Sequence, residues 1–379
     1  MGVAALGALA LAVVGTGSLD VANAGARAEH ESAVASVAPL LSQSASTLGT
    51  AAANSALGLQ SSYFQPPQLV EGAQPGFTID AGADQPDPFM FEQGGEYYLF
   101  TSQDKDHANV PVHEGTVVGA WGPEVDALPH LPAWAIPGIV WAPDMAQFGE
   151  HYMLYFTAQL AGVSPQTMCI GDAISTAVAG PYLPATTPLV CQQSLGGSID
   201  PRVFVDADGQ PSLLWKSDQN ARADQTGLPT ENTQIYSQAL SADGMALTGT
   251  PTVIFGPDEA WQNHIVEAPQ MVLVHGTYWL FYSGGWFNQT DYAIGVARCA
   301  GPSGPCADVS PVPFLGSNAQ GEGPGEESVF SNAAGVWLLY NPFSSTLPDP
   351  GPPRPTSMAH LGFGPDGPYL AEPWAGAQS

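Results

Sequence analysis

The sequence predicts an all-β fold, a five-bladed β-propeller with four-stranded antiparallel blades around a central channel. Three observations lead to this prediction. Glycine and proline are abundant, at 43 and 36 of 379 residues, which favours short strands joined by turns over long helices. The apolar fraction of 44% is enough for a substantial core. One pattern also recurs five times: an acidic residue, a short apolar strand, a glycine-containing turn and an aromatic-rich strand.

The five copies start near acidic residues that stand 56 to 67 positions apart, namely Asp87, Asp144, Asp200, Glu267 and Glu326. In chain order, their strand pairs cover residues 87–91 and 97–100, 141–145 and 152–156, 199–205 and 212–215, 266–272 and 278–282, and 326–330 and 336–340. A repeat of this length with several strands per unit is typical of radial β-architectures. The innermost strand of each blade then carries its acidic residue to the central axis. A β-sandwich with these acids in ordinary turns is the alternative, and five copies of one hairpin disfavour it.

The N-terminal residues 1–24 have the pattern of a secretory signal peptide. Residues 3–14 form an apolar run that is short for a membrane span, and Ala22-Asn23-Ala24 is a cleavage motif of the A-x-A type. Residues 25–65 are rich in Ala, Ser, Gly and Gln and are interpreted as a linker or loosely ordered arm, which leaves residues 66–379 for the propeller. We therefore expect a secreted or extracellular protein, or one in the cell envelope, with no membrane span in the mature chain.

The charge and the cysteines narrow the class further. The formal net charge is −28, mainly because Lys and Arg together number only 7. Such a surface repels nucleic-acid phosphates and anionic lipid, so a nucleic-acid partner is not expected. The spacing of the four cysteines does not match a zinc site. Cys169–Cys191 and Cys299–Cys306 are the simplest disulfide pairing for an exported chain, with the other two pairings left open.

Four short stretches surround the acidic positions: Pro86-Asp87-Pro88, Trp141-Ala142-Pro143-Asp144, Ser198-Ile199-Asp200-Pro201 and Val266-Glu267-Ala268-Pro269. In this order and at this spacing, they resemble glycoside hydrolase family 43, the arabinanase, arabinofuranosidase and β-xylosidase group, over about residues 75–370. The resemblance implies a five-bladed propeller that hydrolyses glycosidic bonds with inversion and requires no cofactor. Such hydrolysis needs two carboxyl groups on opposite sides of the scissile bond.

The resemblance also implies roles for three carboxyl groups. Asp87 corresponds to the general base that activates water, and Glu267 to the general acid. Asp200 corresponds to the pKa modulator and orienter, a negative charge that keeps the acid protonated. Asp80 and Asp84 are rival bases by proximity, but they lack the hairpin register of Asp87.

Further residues are expected to contact the sugar, because aromatic rings stack on the C–H faces of sugars and cations hold nearby carboxylates ionised. The expected set is Trp141, Asp144, Trp134, Trp286, Phe287, Lys216, Arg354 and Glu326. Trp141 is the first choice among the aromatic residues, and core or blade packing is the alternative for each of them. Core packing is favoured for Trp215, Trp279 and Trp337. Lys216 and Arg354 are alternatively strand-end or surface cations.

The fifth repeat departs from the family pattern. Many family members have a Gly-Pro-Gly-His stretch there, and its His supports a bound ion or water in the channel. In this chain the stretch reads Gly323-Pro324-Gly325-Glu326. Glu326 is therefore either a ligand for Ca²⁺ in the central channel, since Ca²⁺ prefers oxygen ligands, or part of a metal-free, water-filled channel.

The expected substrate is an arabinose-containing polysaccharide or oligosaccharide. An α-L-arabinofuranosidase or arabinanase is the first hypothesis, because the stretches around Asp200 and Glu267 look closer to the arabinan-active members. The alternatives are a β-xylosidase of the same family, a non-catalytic sugar-binding propeller, and the retaining fructan-hydrolysing propellers. That last group carries Arg-Asp-Pro and Glu-Cys motifs where this chain has Ile199-Asp200-Pro201 and Glu267-Ala268. We expect a monomer.

Overall fold

The computed structural model describes residues 63–64, 78–79, 84–103, 108–116, 120–221, 232–318, 321–333, 335–343 and 354–370. These residues form five antiparallel sheets, and the innermost strand of each sheet contacts the innermost strands of its two neighbours, so that the sheets close a ring. Helical structure in this part of the chain is limited to short 3₁₀ turns, such as Gln193–Leu195 and Ala260–Gln262. The predicted fold class, a five-bladed β-propeller, is confirmed.

The chain builds the blades one after another, each from four consecutive strands. Two N-terminal strands come first, β1 (Tyr63–Phe64) and β2 (Thr78–Ile79). Blade 1 contains β3 (Phe89–Gln93), β4 (Glu96–Phe100), β5 (Pro111–Gly115) and β6 (Val125–Asp126). Blade 2 contains β7 (Ala135–Phe148), β8 (His151–Leu160), β9 (Met168–Ser175) and β10 (Leu183–Pro184). Blade 3 contains β11 (Ser198–Val205), β12 (Pro211–Ser217), β13 (Ile235–Ala239) and β14 (Thr252–Phe255). Blade 4 contains β15 (Val266–Val274), β16 (Thr277–Gly284), β17 (Ala293–Cys299) and β18 (Cys306–Asp308). Blade 5 contains β19 (Glu322–Asn332), β20 (Gly335–Phe343), β21 (Thr356–Gly364) and β22 (Gly367–Leu370).

The N-terminal strands attach to the last two blades. Strand β2 pairs antiparallel with β21, with Thr78 opposite Ser357, on the edge of β21 where β22 pairs further along. The fifth blade is thus completed partly by chain that precedes the first blade, which joins the two ends of the propeller sequence in one sheet. Strand β1 pairs parallel with the end of β15 and lies within the segment 25–65, for which the composition predicts a linker. The predicted signal peptide, residues 1–24, lies outside the described residues.

Apolar clusters fill the spaces between neighbouring blades. One cluster lies at each of the five blade-to-blade junctions, from Phe91 against Tyr152 between blades 1 and 2 to Met90 near Phe330 between blades 5 and 1. Trp215, Trp279 and Trp337 lie within these clusters, as the sequence predicts, each with at most 9% of its surface exposed. Full burial of a large apolar side chain contributes about 1.5–3 kcal/mol, so the junctions provide most of the apolar stabilisation of the ring.

The innermost strands share an irregularity at the position where they approach the axis. Strand pairing shifts register there in blades 2 to 5, as at a β-bulge. The backbone takes a positive φ of 45–57° at one residue per blade, namely Asp87, Ala142, Asp200, Ala268 and Glu326. Non-glycine residues rarely adopt this conformation, and a bulge turns a side chain away from the plain strand alternation. The shared bulge therefore points side chains from several blades at one place.

Each of these five positive-φ residues donates its backbone N–H to the preceding blade. The acceptors are the side-chain oxygens of Asn341 for Asp87 (2.8 Å), Ser102 for Ala142 (2.7 Å), Thr157 for Asp200 (3.2 Å), Asp200 for Ala268 (3.0 Å) and Ser283 for Glu326 (2.9 Å). A buried N–H without a partner is costly, so these bonds stabilise the bulges and link each blade to the next.

Two disulfides reinforce the outer part of the ring. Cys169 is bonded to Cys191, and Cys299 to Cys306, which is the simplest of the pairings that the sequence allows. The second bond joins neighbouring strands β17 and β18. The described part of the chain has no helix with the length and hydrophobicity that a bilayer crossing needs.

Candidate active site

A cavity of about 1130 Å³ lies where the bulged parts of the innermost strands converge. Five acidic residues from four blades line it: Asp87 of blade 1, Asp200 and Asp218 of blade 3, Glu267 of blade 4 and Glu326 of blade 5. Carboxylate oxygens of Asp200, Glu267 and Glu326 all lie within 4.8 Å of one another. Residues that are distant in the sequence therefore form one acidic group at the centre of the ring.

Asp87 is held from several directions. Its backbone N–H donates to Asn341, the hydroxyl of Ser102 donates to its carboxylate oxygen Oδ2, and the guanidinium of Arg354 lies 3.4 Å from Oδ1. Only 8% of Asp87 is exposed. The hydroxyl and the guanidinium both donate to the carboxylate of Asp87 and fix its position at the cavity, where a base has to meet a water molecule. The rival Asp84 is exposed and accepts the backbone N–H of Arg354 at 2.9 Å, whereas Asp80 lies outside the described residues.

Glu267 forms a buried ion pair with Lys216. The ammonium Nζ of Lys216 lies 2.7 Å from Glu267 Oε2 and 3.7 Å from Asp218 Oδ1, and the lysine is 1% exposed. Burial acts to lower the pKa of Lys216, but Glu267, Asp218 and Asp200 outweigh it and hold the pKa above the usual value of 10.5. Lys216 is therefore a permanent positive charge within the acidic group.

Asp200 contacts the blade that carries Glu267. Its Oδ2 accepts the N–H of Ala268, the residue directly after Glu267, at 3.0 Å. Burial, together with the negative charges of Glu267 and Asp87, raises the pKa of Asp200 to about 7, although Lys216 acts in the opposite direction. Asp200 is thus a carboxyl group whose charge changes near neutral pH and whose position is coupled to the backbone of Glu267.

Glu326 is a further carboxyl group of the cavity and is linked to Glu267 through Tyr292. The hydroxyl oxygen of Tyr292 lies 2.7 Å from Glu267 Oε1 and 2.9 Å from Glu326 Oε1. Burial, followed by the charges of Asp87, Asp200 and Glu267, raises the pKa of Glu326 well above its usual value. Burial and the two glutamates likewise raise the pKa of Tyr292, so the phenol stays protonated.

Most of the aromatic and cationic residues that the sequence predicts for sugar binding line this cavity. Trp141, which is 38% exposed, lines it together with Trp286 and Phe287. Lys216 and Arg354 also line it, and the guanidinium of Arg354 lies 5.7 Å from the ring centre of Phe287. These rings give the acidic group an apolar rim of the kind on which sugars stack.

Two of the expected sugar-binding residues lie elsewhere. Asp144 is 2% exposed and binds the guanidinium of Arg202 at 3.2 Å and the N–H of Val203 at 2.6 Å, so it links blades 2 and 3. Burial raises the pKa of Asp144 to about 6, against the opposing charge of Arg202. Trp134 stacks on Phe156 and packs against the junction of blades 1 and 2. Neither residue lines the cavity. For Asp144 the reason is that Ala142, two positions earlier, occupies the bulge of blade 2.

Sequence patterns alone miss several residues of the site. Tyr292 directly precedes β17, outside the strand pair that defines the repeat, and no local pattern distinguishes it. Ser102 and Asn341 stand just after β4 and near the end of β20, where a polar residue follows a run of apolar ones. That change in the pattern is a usable signal. Asp218, two positions after Lys216, could also be found as a nearby counter-charge.

The residues present do not fit a resident Ca²⁺ ion at Glu326. Calcium takes six to eight oxygen ligands, and the three closest carboxyl groups already have partners of their own. Lys216 donates to Glu267, Tyr292 contacts Glu267 and Glu326, and the N–H of Ala268 donates to Asp200. A cation placed among them would also stand beside the buried ammonium of Lys216 and repel it. We therefore assign no step to a metal ion.

The arrangement is suited to acid–base chemistry. Asp87, held by Ser102 and Arg354, lines the same cavity as Asp200 and Glu326. Burial and like charge oppose the ionisation of these two other carboxyl groups. Environments that separate the protonation of neighbouring carboxyl groups are the usual way to provide a base and an acid in one site. The aromatic rim and the size of the cavity fit an uncharged, ring-shaped substrate such as a sugar.

Comparison with known proteins agrees with this chemistry. The family model "Glycosyl hydrolases family 43" matches residues 81–369. Among solved structures, a thermostable family-43 glycoside hydrolase is 23% identical with a TM-score of 0.69, over 80% of this chain and 98% of that one. An α-L-arabinofuranosidase from Lactobacillus brevis is 18% identical with a TM-score of 0.65, over 78% and 97% of the two chains. An endo-1,4-β-xylanase from Bacteroides thetaiotaomicron is 20% identical with a TM-score of 0.64, over 77% and 95%.

The structural likeness at this level of identity concerns the fold, whereas the family model spans the acidic positions of all five blades. Together with the carboxyl groups at the centre of the ring, that match shows that the chain belongs to glycosyl hydrolases family 43 and is a glycoside hydrolase.

Proposed function

We propose that this enzyme cleaves arabinose-containing polysaccharides or oligosaccharides with inversion, as an α-L-arabinofuranosidase or arabinanase. The observation that carries the proposal is the convergence of Asp87, Asp200 and Glu267 from three blades on one cavity with an aromatic rim. Inverting hydrolysis requires a base for water and an acid for the leaving oxygen around one sugar-sized space.

In this mechanism Asp87 is the general base. It accepts a proton from a water molecule that attacks the anomeric carbon, and its contacts with Ser102 and Arg354 hold the carboxylate in position. Glu267 is the general acid and donates a proton to the leaving oxygen. Asp200 orients Glu267 through the N–H of Ala268 and adds negative charge beside it. Such proton transfers typically contribute about 10²–10⁴-fold each.

The sugar is held by groups that line the same cavity. Trp141 and Trp286 present rings for stacking, and Arg354 and Lys216 provide hydrogen-bond donors. The choice of arabinose rests on the stretches around Asp200 and Glu267 and agrees with relatives that include the Lactobacillus brevis α-L-arabinofuranosidase and an α-L-arabinanase from Cellvibrio cellulosa. The xylanase among the relatives makes a β-xyloside the necessary second substrate of any test.

A substrate panel with product analysis tests the proposal. Aryl α-L-arabinofuranoside, aryl β-D-xyloside, linear arabinan and arabinoxylan are incubated with the full chain, and products are followed by chromatography and by NMR of the anomeric proton. We expect arabinose or arabino-oligosaccharides, released first with inverted configuration. Cleavage of the xyloside alone would show that the substrate contains xylose and not arabinose. A first-formed product of retained configuration would refute the inverting mechanism. Binding without cleavage of any substrate would indicate a sugar-binding propeller instead.

We further propose that the protein is exported and acts as a monomer, with residues 1–24 as signal peptide, 25–65 as linker and 66–379 as catalytic domain. The two disulfides support export, since such bonds persist in oxidising compartments. N-terminal sequencing of the protein recovered from the culture medium tests the cleavage after Ala24, and light scattering tests the monomer. A mature chain that still begins at Met1 would contradict the signal peptide.

A further inference from the structure

The hydroxyl of Tyr292 contacts two carboxyl groups, and a phenol has only one proton to donate. The distances of 2.7 Å to Glu267 Oε1 and 2.9 Å to Glu326 Oε1 are both those of hydrogen bonds. If both carboxyl groups were ionised, one of these contacts would place two oxygens with lone pairs together without a proton. The geometry therefore requires a second proton, carried by one of the two glutamates.

The surroundings decide which glutamate carries that proton at rest. Lys216 donates to Glu267 Oε2 at 2.7 Å, so a buried ammonium lies directly beside the carboxyl group of Glu267. Glu326 has no such partner at comparable distance among the described residues, and like charges surround it. Charged groups from three blades surround Glu267 and Glu326. They are Asp87 of blade 1, Asp200, Lys216 and Asp218 of blade 3, and Glu327 and Arg354 of blade 5, with Glu327 bound by Ser283. The balance of burial and negative charge leaves the proton on Glu326.

We infer that Glu326 and Tyr292 form a proton relay that supplies the acid Glu267. Tyr292 passes its hydroxyl proton to Glu267 Oε1 while Glu326 Oε1 passes its proton to the Tyr292 oxygen. The phenol is restored, Glu267 becomes a neutral acid and Glu326 becomes a carboxylate. The inference rests on the proposed function, because it concerns how the acid of that reaction is charged.

The proton balance closes over one turnover. As the glycosidic C–O bond breaks, its electron pair stays on the leaving oxygen, which takes the proton of Glu267. The attacking water gives one proton to Asp87, which releases it to solvent. Glu326 lines the cavity and is 9% exposed, so it regains a proton from water there. Glu326 and Tyr292 act through Glu267 and do not themselves touch the reacting atoms.

The packing around Tyr292 supports a dedicated position for its hydroxyl. The ring is 2% exposed and lies directly against the backbone of Gly325, where any Cβ would overlap it. Glycine before Glu326 thus lets the phenol approach the same strand that carries the proton. The backbone N–H of Glu326 is bound by Ser283, which also donates to Glu327 at 2.6 Å and fixes this part of blade 5 relative to blade 4.

The test compares two substrates that share one sugar and differ in the leaving group. A nitrophenol can leave as its anion without full protonation. The sugar that leaves from a disaccharide has a far more basic oxygen, which must receive a proton from the general acid. The substrates are the nitrophenyl glycoside and the disaccharide of whichever pentose the substrate panel identifies. For Tyr292→Phe we expect kcat/KM on the disaccharide to fall about 100-fold and on the nitrophenyl glycoside less than about 5-fold. The alkaline limb of the disaccharide pH profile should move to lower pH.

Glu326→Gln provides the second variant. Glutamine keeps the size and a neutral hydrogen bond but has no proton to transfer, so the same selective loss on the disaccharide is expected. Tyr182→Phe is the matched control, because its buried hydroxyl binds the Val178 carbonyl at 2.8 Å away from the cavity. It should leave both substrates unchanged.

The outcomes separate the relay from the function on which it rests. The relay would be overturned if kcat/KM of Glu326→Gln fell equally on both substrates, or did not fall on the disaccharide. If Tyr292→Phe melts below the assay temperature, Glu326→Gln decides alone. Wild-type protein that cleaves neither substrate would instead refute the proposed function.

Discussion

Lys216 is the residue on which the charge balance of the cavity depends. It is almost fully buried and lies within 4 Å of carboxylate oxygens of both Glu267 and Asp218. A buried charge without its partner is strongly destabilising, typically by about 3–5 kcal/mol, because desolvation is no longer offset. This buried cation therefore stabilises both the fold and the arrangement of the acids around it.

Lys216→Met should lower the free energy of unfolding by about 3–5 kcal/mol at pH 7. The loss should be smaller at pH 5, because the acids that have lost Lys216 as partner can then take up protons. Urea denaturation at both pH values measures this. Exposed Arg298→Met is the control, with an expected change of about 0.5 kcal/mol or less. Equal losses at the two pH values would contradict the charge argument.

Glu267 is the residue on which the acid function depends. Glu267→Gln should reduce kcat on the natural substrate about 10²–10⁴-fold, since the amide cannot protonate the leaving oxygen. Affinity for the sugar should remain, because the aromatic rim and Arg354 are unchanged. Turnover and calorimetric binding are measured side by side, with exposed Glu150→Gln as control. Retained turnover would remove Glu267 from its assigned role.

At the scale of the strands, the shared bulge determines which side chain faces the axis. The bulge residue is Asp87, Ala142, Asp200, Ala268 or Glu326, depending on the blade. Proline follows it in the first four blades, and Glu327 follows it in the fifth. Asp87 and Asp200 are themselves the bulge residues of their blades. Glu267 instead stands one position before the bulge residue Ala268, so its side chain leaves the strand at a different point.

Asn341 of blade 5 binds Asp87 of blade 1, the proposed general base, and so joins the last blade to the first. Its side chain accepts the N–H of Asp87 and donates to the carbonyl oxygens of Gln85, Arg354 and Pro355. Asn341→Ala should cost about 1–3 kcal/mol of unfolding free energy, because buried groups lose their partners.

The same variant should also lower kcat/KM, since both Asp87 and Arg354 lose a support. Asn332→Ala is the matched control on blade 5, where the side chain contacts Tyr97 and Trp337 instead of the cavity. Its stability should fall while kcat/KM stays unchanged. A similar loss of activity in both variants would show a general effect of weakening blade 5.

At the scale of the whole molecule, carboxyl groups are buried at the centre of a strongly acidic chain. Burial raises the pKa of Glu327 from 4.5 to about 8, and that of Asp200 to about 7. Such groups are neutral in the folded protein at a pH where the unfolded chain has already lost their protons. Their contribution to stability is therefore full below the unfolded pKa and is lost as the pH rises through the folded pKa.

Unfolding free energy should accordingly decrease as the pH rises from about 5 to about 8. Glu327→Gln should make this decrease shallower, by up to about 1.4 kcal/mol per pH unit, because glutamine does not titrate. Denaturation series at several pH values measure both slopes, and exposed Glu150→Gln should parallel the wild type. A wild-type stability that rises over this range would contradict the assigned burial.

The candidate site can be predicted from the sequence only in part. Asp87, Asp200 and Glu267 can be found because each lies in a local motif followed by a hairpin. Asp144 stands at the same spacing, but it lies two positions past the bulge of its blade and faces Arg202 instead. A spacing of nearly sixty residues cannot resolve an offset of two, and in a strand such offsets decide which neighbours a side chain meets.

The sequence by itself determined the all-β class, the fivefold repeat and the acidic stretches, because strands, turns and bulges depend on residues that are close together along the chain. Only the tertiary structure decided that Lys216 pairs with Glu267, that Arg354 reaches Asp87, and that Tyr292 bridges two glutamates. These contacts join residues 25 to 267 positions apart, and their distances depend on how the blades pack around the axis. Charge and protonation at the centre therefore follow from ring closure, which no local pattern encodes.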